Sequence, residues 1–381
     1  MDFSFTGAEA GRRAEFKKFA REKIAPLSKR TDSECRFPRE NIEHMAKRGY
    51  MGLPIPREWG GEGADFLSYI FLIEEISATC ASTGVILAVH TSVGTFPILM
   101  FGTPGQKERY LPLLARGKWL AAFALTEAGA GSDPSAIATT AERRGGYYYL
   151  NGSKLFITSG GEADVYTVFA TVDREQGRKG ITAFLVEKDT PGMIIGKKEK
   201  KMGMNGSVTV ELLMEDAKVP LESRLGDEGE GFKIALSLLD GGRIGIAAQG
   251  LGIASAAIDC ALEYTRERRQ FGRALTDFQG VAFVLADLHT RLEAARLLVY
   301  RAAWLKGQGY PCTKEASMAK VYATDLAMDA SSRAISLMGA RGATTEYPVE
   351  RYFRDAKVTQ IYEGTNQIQR MVIARELNKQ T

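Results

Sequence analysis

The stretch IYEGTNQIQR, residues 361 to 370, sets one carboxylate, Glu363, between an aromatic ring and a glycine, just ahead of a helical pattern. Two roles suit an acid there. Thr365 or Asn366 can cap a helix running from Gln367 toward Leu377, and a carboxylate near a helix N-terminus is favoured by about 0.3 to 1 kcal/mol. Alternatively, a carboxylate beside uncapped N–H groups can remove a proton next to a carbonyl while those donors hold the enolate oxygen. Local spacing leaves both readings open.

Two glycine-rich stretches invite a nucleotide reading. GLGIAS, residues 250 to 255, imitates a dinucleotide fingerprint, but that motif follows a strand, and here helical pattern lies on both sides. Close helix packing through small residues is the better account. LTEAGAGSD, residues 125 to 133, follows an apolar strand pattern. It is either a tight connection or a set of donors, from Gly129, Gly131, Thr126 and Ser132, for a phosphate or a heterocycle. With KLFITSG at 154 to 160 on a neighbouring strand, it outlines a wall for a flat, hydrogen-bonding ring. Metal chemistry has little support. The chain has three histidines (His44, His90, His289) in no H-x-x-x-H spacing, and four cysteines (Cys35, Cys80, Cys260, Cys312) in no C-x-x-C pair. No metal site and no disulfide framework are expected, and a reducing compartment fits.

The elements that must position these residues follow from periodicity. From Gly7 to about Lys118 the apolar spacing is helical, and the stretch from Phe66 to Val93, apolar nearly all round, predicts a buried helix pair. Near Trp119 the pattern changes to short β-branched and aromatic runs between turn clusters, with a hairpin expected at LNGSK, residues 150 to 154. From Gly231 onward four long helical stretches imply a bundle. The fold class is α+β multidomain: an N-terminal all-α domain over 1–118, a middle antiparallel β domain over 119–230, and a C-terminal four-helix bundle over 231–381.

A chain of 381 residues, 45% hydrophobic and 25% charged, can bury a large core. Its charge of +4 comes from 50 basic against 46 acidic residues, and the basic runs are short with no aromatics among them, so no nucleic-acid partner is expected. The opening MDFSFTGAEAGRRAEF has no apolar leader core, and the longest apolar runs are read as short of a membrane span. A bacterial cytoplasmic protein is expected, or a mitochondrial matrix protein whose targeting segment was removed.

Four stretches in order, FALTEAGAGSD, LNGSKLFITSG, TRERRQFG and DAKVTQIYEGTNQIQR, make the chain resemble the acyl-CoA dehydrogenase family of flavoproteins, and LDGGRIGIAAQGLGIA resembles its short-chain, butyryl-CoA type. The resemblance spans nearly the whole chain, and the family's domain order matches the pattern reading. It implies FAD as cofactor, an acyl-CoA substrate, a homo-oligomer (a tetramer, as a dimer of dimers) and an electron-transferring flavoprotein as acceptor. Glu363 would take the α-proton while a hydride leaves the β-carbon. The thioester oxygen would be held by the Glu363 N–H and a ribityl hydroxyl.

By the same resemblance Phe123, Leu125, Thr126 and Ser132 would meet FAD, with Phe156 and Thr158 beside its ring. Many members carry tryptophan where Phe156 stands. Arg268, Phe271 and Gln279 would reach the FAD of a neighbouring subunit. Ser336 and Gly339 fall in SLMGARG, where the family usually shows a glutamine and a Gly-Gly, and Thr365, Asn366 and Gln367 match positions near the FAD phosphates. Ser132, Asp240, Arg243 and Gly364 would contact the substrate. An oxygen-using acyl-CoA oxidase and a non-catalytic acyl-CoA-binding protein are the alternative functions.

Overall fold

The structure is a computed structural model that describes residues 6–379; the first five residues, part of the opening stretch read above for a leader, and the last two lie outside the described residues. Helices come first: α1 (Gly7–Phe19), α2 (Ala25–Ser33), α3 (Arg39–Ala46), α4 (Phe66–Thr79), α5 (Ala81–Val89), α6 (Phe96–Phe101) and α7 (Pro104–Ala115). Their starts are written locally. Asp65 accepts from the Ser68 N–H at 2.7 Å to begin α4, and Thr103 and Gln106 cap each other's backbone around Pro104 to begin α7. The expected buried pair is α4 and α5, broken at Cys80, whose backbone is extended.

The middle strands are β1 (Ala121–Ala124), β2 (Thr140–Arg144), β3 (Tyr147–Thr158), β4 (Val165–Thr171), β5 (Ile181–Glu187), β6 (Met193–Lys198), β7 (Thr209–Pro220) and β8 (Arg224–Leu225). The sheet order is β6-β7-β3-β2-β4-β5-β8, with β1 beside β4. Its pairs are antiparallel except that β1 and β2 run parallel to β4. The hairpin expected at Asn151-Gly152 is absent, because β3 runs straight through it and the turn falls at Gly145-Gly146. Asn151-Gly152 instead faces a bulge: Leu150 pairs with Ala217 and Gly152 with Met214, so two steps along β3 match three along β7. A Cβ at Gly152 would lie 2.6 Å from Thr139 Oγ1, so glycine is needed for close approach rather than for a turn.

The C-terminal part opens with α8 (Gly231–Glu267), followed by a short hairpin of β9 (Arg269–Gln270) and β10 (Arg273–Ala274). Then come α9 (Gln279–Gly307), α10 (Thr313–Met338), α11 (Val349–Thr359) and α12 (Asn366–Asn378). The final stretch is two helices, with the fresh start expected near Thr365 found at α12. Glu363 sits in the break.

Two stretches, Ala81–Phe101 and Gly231–Glu267, are long and apolar enough to cross a membrane, which corrects the expectation above; most of each is buried against the rest of the protein. Their apolarity serves packing. On α8, a Cβ at Gly252 would sit 2.3 Å from the Glu74 carbonyl oxygen of α4, and one at Gly250 would sit 3.0 Å from the Ala323 carbonyl of α10. GLGIAS is thus a helix-packing seam. Buried Glu74, also on α4, ties three helices together by accepting from Arg13 of α1 and from Arg296 and Tyr300 of α9.

Gly252→Val is expected to destabilise the protein by about 1–3 kcal/mol, the usual result of overpacking. A lower denaturant midpoint would show it. An unchanged midpoint would mean that α4 and α8 do not meet there as described.

Candidate active site

The break between α11 and α12 is a built loop. Thr365, the first of the two expected caps, accepts from the Ile368 N–H at 3.3 Å and starts α12. Glu363 has φ of 54° and Gly364 of 84°, so a non-glycine residue is held in the left-handed region, at about 1–3 kcal/mol of strain. The surroundings fix it. Gln369 Nε2 donates to the Glu363 and Gly364 carbonyls at 3.0 Å each. Lys320 Nζ, from α10, donates to the Gly364 carbonyl at 2.9 Å and to Asn366 Oδ1 at 2.8 Å. The Glu363 and Gly364 N–H groups find no acceptor among the described residues, which leaves them free for a ligand.

Glu363 faces a cleft of about 840 Å³ between the sheet and the helices. Val89 of α5 and Val93, from the π-helical turn His90–Thr95, line its apolar side. Burial raises the proton affinity of the Glu363 carboxyl above the ordinary carboxylate range, and Arg243 and Lys320 pull against that shift. Room for the carboxyl is made on α8: a Cβ at Gly242 would lie 2.6 Å from Glu363 Oε2. At the next position of the same helix, Arg243 pairs with Asp240 at 3.1 Å, and Asp240 also accepts from Thr313 at 2.7 Å. Arg243 Nε is buried without a partner.

The opposite wall comes from β1, the loop after it, and β3. Phe156, with φ of 58°, leaves its ring 62% exposed inside a cleft whose other walls are packed protein. The hydroxyls of Thr126, Ser132 and Thr158 line the same cleft. Beneath this wall lies a buried ion pair: Lys154 Nζ donates to Glu127 Oε1 at 2.6 Å and to the Leu125 carbonyl at 3.2 Å. Glu127 also accepts from the Ala138 and Thr139 N–H groups at 2.6 and 3.1 Å, closing the loop between residues 127 and 139. Burial pushes the Lys154 ammonium down to about 8 while Glu127 holds it up. An open aromatic face bordered by hydroxyls on a rigid frame fits a flat heterocycle such as the flavin of FAD.

Of the residues named from sequence, Phe123, Leu125, Thr126, Ser132, Phe156 and Thr158 line this cleft together. Asp240, Arg243, Glu363 and Gly364 line it too. Arg268, Phe271 and Gln279 do not; they lie exposed at the end of α8, on the β9–β10 hairpin and at the start of α9. Ser336 and Gly339 are exposed at the end of α10, where the Ser336 hydroxyl donates to the Ser332 carbonyl. Thr365 has its hydroxyl in a helix cap, and Gln367 is exposed on α12.

Asn366, expected near the FAD phosphates, is buried, and its side chain is engaged by Lys320, Thr324 and Asp325. Sequence reasoning missed Lys320, the Glu127–Lys154 pair and the space at Gly242. Only Lys154 left a signal: it shares the inward phase of β3 with Tyr148 and Leu150, where a charge needs a partner.

Three sequence models match in order: acyl-CoA dehydrogenase N-terminal domain over residues 8–118, middle domain over 122–217 and C-terminal domain over 229–378. A short-chain specific acyl-CoA dehydrogenase of Clostridium acetobutylicum is 48% identical over 99% of this chain and 100% of its own. Butyryl-CoA dehydrogenase from Megasphaera elsdenii superposes with a TM-score of 0.97 at 46% identity, covering 99% of this chain and 100% of that one. A chain solved in work on the electron transferring flavoprotein of Acidaminococcus fermentans has a TM-score of 0.97 at 49% identity, covering 99% of each. Domain order, whole-chain identity and backbone agree, and the chain belongs to the acyl-CoA dehydrogenase family.

Proposed function

We propose that this protein is an FAD-dependent acyl-CoA dehydrogenase that converts a short- to medium-chain acyl-CoA to the trans-2-enoyl-CoA. The observation that carries the reading is Glu363: a buried carboxyl of raised proton affinity, facing an apolar wall, beside unengaged backbone N–H groups. A base that must accept a weakly acidic α-proton works best when its proton affinity is lifted toward neutrality. The Glu363 N–H would stabilise the enolate oxygen as charge develops there. FAD, when bound against Phe156 with Thr126, Ser132 and Thr158 around it, supplies the hydride acceptor. Asp240 and Arg243, held to each other on α8, would fix the substrate's position along the cleft.

An electron-transferring flavoprotein is the proposed acceptor, in keeping with the family and with the solved chain reported above. The compartment proposed is the bacterial cytoplasm, or the mitochondrial matrix. The division into 1–118, 119–230 and 231–381 is part of the proposal, supported by the changes of element type between α7 and β1 and between β8 and α8. A homotetramer is proposed because Arg268, Phe271 and Gln279 project from the chain away from its own cleft.

The substrate should be a monocarboxylic acyl thioester. No lysine or arginine occurs from Trp59 to Gln106, the segment that supplies the apolar side of the cleft. A second carboxylate buried there would lack a cation, at several kcal/mol.

Glu363→Gln is expected to keep FAD and bind substrate but to reduce its flavin about 10² to 10⁴ times more slowly. Reduction at the parent rate would reassign Glu363 to a helix-start acid. In the parent enzyme the acid limb of kcat/KM against pH should lie above the ordinary carboxylate range, because only ionised Glu363 can accept a proton and burial disfavours that form. Among butyryl-, octanoyl-, isovaleryl- and glutaryl-CoA with an artificial acceptor, a preference for glutaryl- over butyryl-CoA would sink the substrate assignment. Arg268→Glu should lose flavin and oligomer together; a tetramer with full flavin content would leave Arg268 a surface charge.

A further inference from the structure

We propose that Lys320 is the positioning residue of the base: its ammonium fixes the loop that carries Glu363 and sets a positive charge beside that carboxylate. Lys320 is wholly buried on α10. Its two hydrogen bonds go to neutral oxygens, the Gly364 carbonyl at 2.9 Å and Asn366 Oδ1 at 2.8 Å, and among the described residues no carboxylate lies within ion-pair distance of it. A cation buried in this way is expensive, and a leucine or methionine would pack the same site at less cost. What an apolar residue lacks is the double donation to the loop and the charge.

The charged neighbours show where that charge acts. Lys320 feels Glu363 and Asp325 as anions and Arg243 as a like charge. Asp325, on the same helix, is already engaged by Arg370 of α12 at 2.8 Å, by Gln360 at 2.6 Å and by Asn366 at 2.7 Å. Around Glu363 the groups are Arg243 from α8, Lys320 from α10, Tyr69 from α4 and the adjoining Tyr362. Arg243 has the stronger pull on Glu363, but it has its own carboxylate, Asp240, at 3.1 Å. Lys320 has none. Burial presses its ammonium down to about 7, with Glu363 and Asp325 opposing. The same contact that orients Gly364 therefore also sets how readily Glu363 gives up its proton to solvent.

The inference rests on Glu363 being the base, and Glu363→Gln decides that point before Lys320 is changed. The test is kcat/KM against pH for the holoenzyme and for Lys320→Met. Without the cation, ionised Glu363 loses support, its proton affinity rises, and the acid limb should move up by about one pH unit. An unmoved limb overturns the proposal, even if the rate falls. A second readout needs no turnover: thermal unfolding at pH 8 of Lys320→Met, with and without Glu363→Gln in the same chain. The double variant should be the more stable of the two, because the amide removes a buried charge left without its counterpart. A double variant no more stable than Lys320→Met overturns the proposal. Should Lys320→Met not accumulate as a folded flavoprotein, its recovery by Glu363→Gln supports the proposal and failure to recover overturns it.

Discussion

The structure turns on one carboxylate that must be buried yet able to ionise. Burial raises the proton affinity of the Glu363 carboxyl, and full exposure would leave it a weak base of ordinary proton affinity. Two cations from different helices, Arg243 of α8 and Lys320 of α10, oppose that rise. The site also requires a chain that turns sharply at the acid, which is why the last helical stretch breaks into α11 and α12 there. Gln369, Lys320 and Asn366 then tie the broken ends, so the loop is as fixed as the helices beside it.

That demand passes to α8, which has to approach three neighbours at different heights. At Gly252 it admits the α4 backbone, at Gly250 the α10 backbone, and at Gly242 the carboxyl of Glu363. Each glycine removes a Cβ that would meet a backbone or carboxyl atom. One long rigid helix thus sets the distance between the apolar wall carried by the N-terminal helices and the acid carried by the C-terminal ones. Its polar residues near the start, Asp240 and Arg243, brace each other and face the cleft.

The sequence was legible wherever periodicity or an intact motif spoke for itself. Helices, strands and helices followed in the expected order because long apolar repeats of period 3.6 and short runs of period 2 are hard to confuse. Asn151-Gly152 misled because the dipeptide favours a turn locally, whereas Thr139 packed against Gly152 and the bulge on β7 keep the strand extended. GLGIAS was read correctly because its flanks are helical on both sides. Lys320 was invisible. One lysine in an alanine-rich helix looks like any solvated lysine until the fold turns it inward. For Asn366 the motif suggested a place near a ligand, and what it could not show is that the fold engages the amide with Thr324 and Asp325.

Backbone strain gives an independent view of the same site. Among the described residues seven non-glycine positions have positive φ, and Phe156, Phe271 and Glu363, each named from sequence as functional, are among them. Such strain persists only where the surroundings over-determine it. For Glu363 they do, through Lys320 and Gln369. For Phe156 the frame is the irregular register of β3 against β7 between Lys154 and Ile157, followed by Ser159 donating to the Val208 carbonyl at 2.8 Å. Phe271 is different: it is 92% exposed, and its ring meets the edge of Phe278, 6.2 Å away between centroids. A strained backbone that presents a bare aromatic ring to solvent gains nothing within one chain. A second copy seated on this hairpin, as proposed above, would bury that ring.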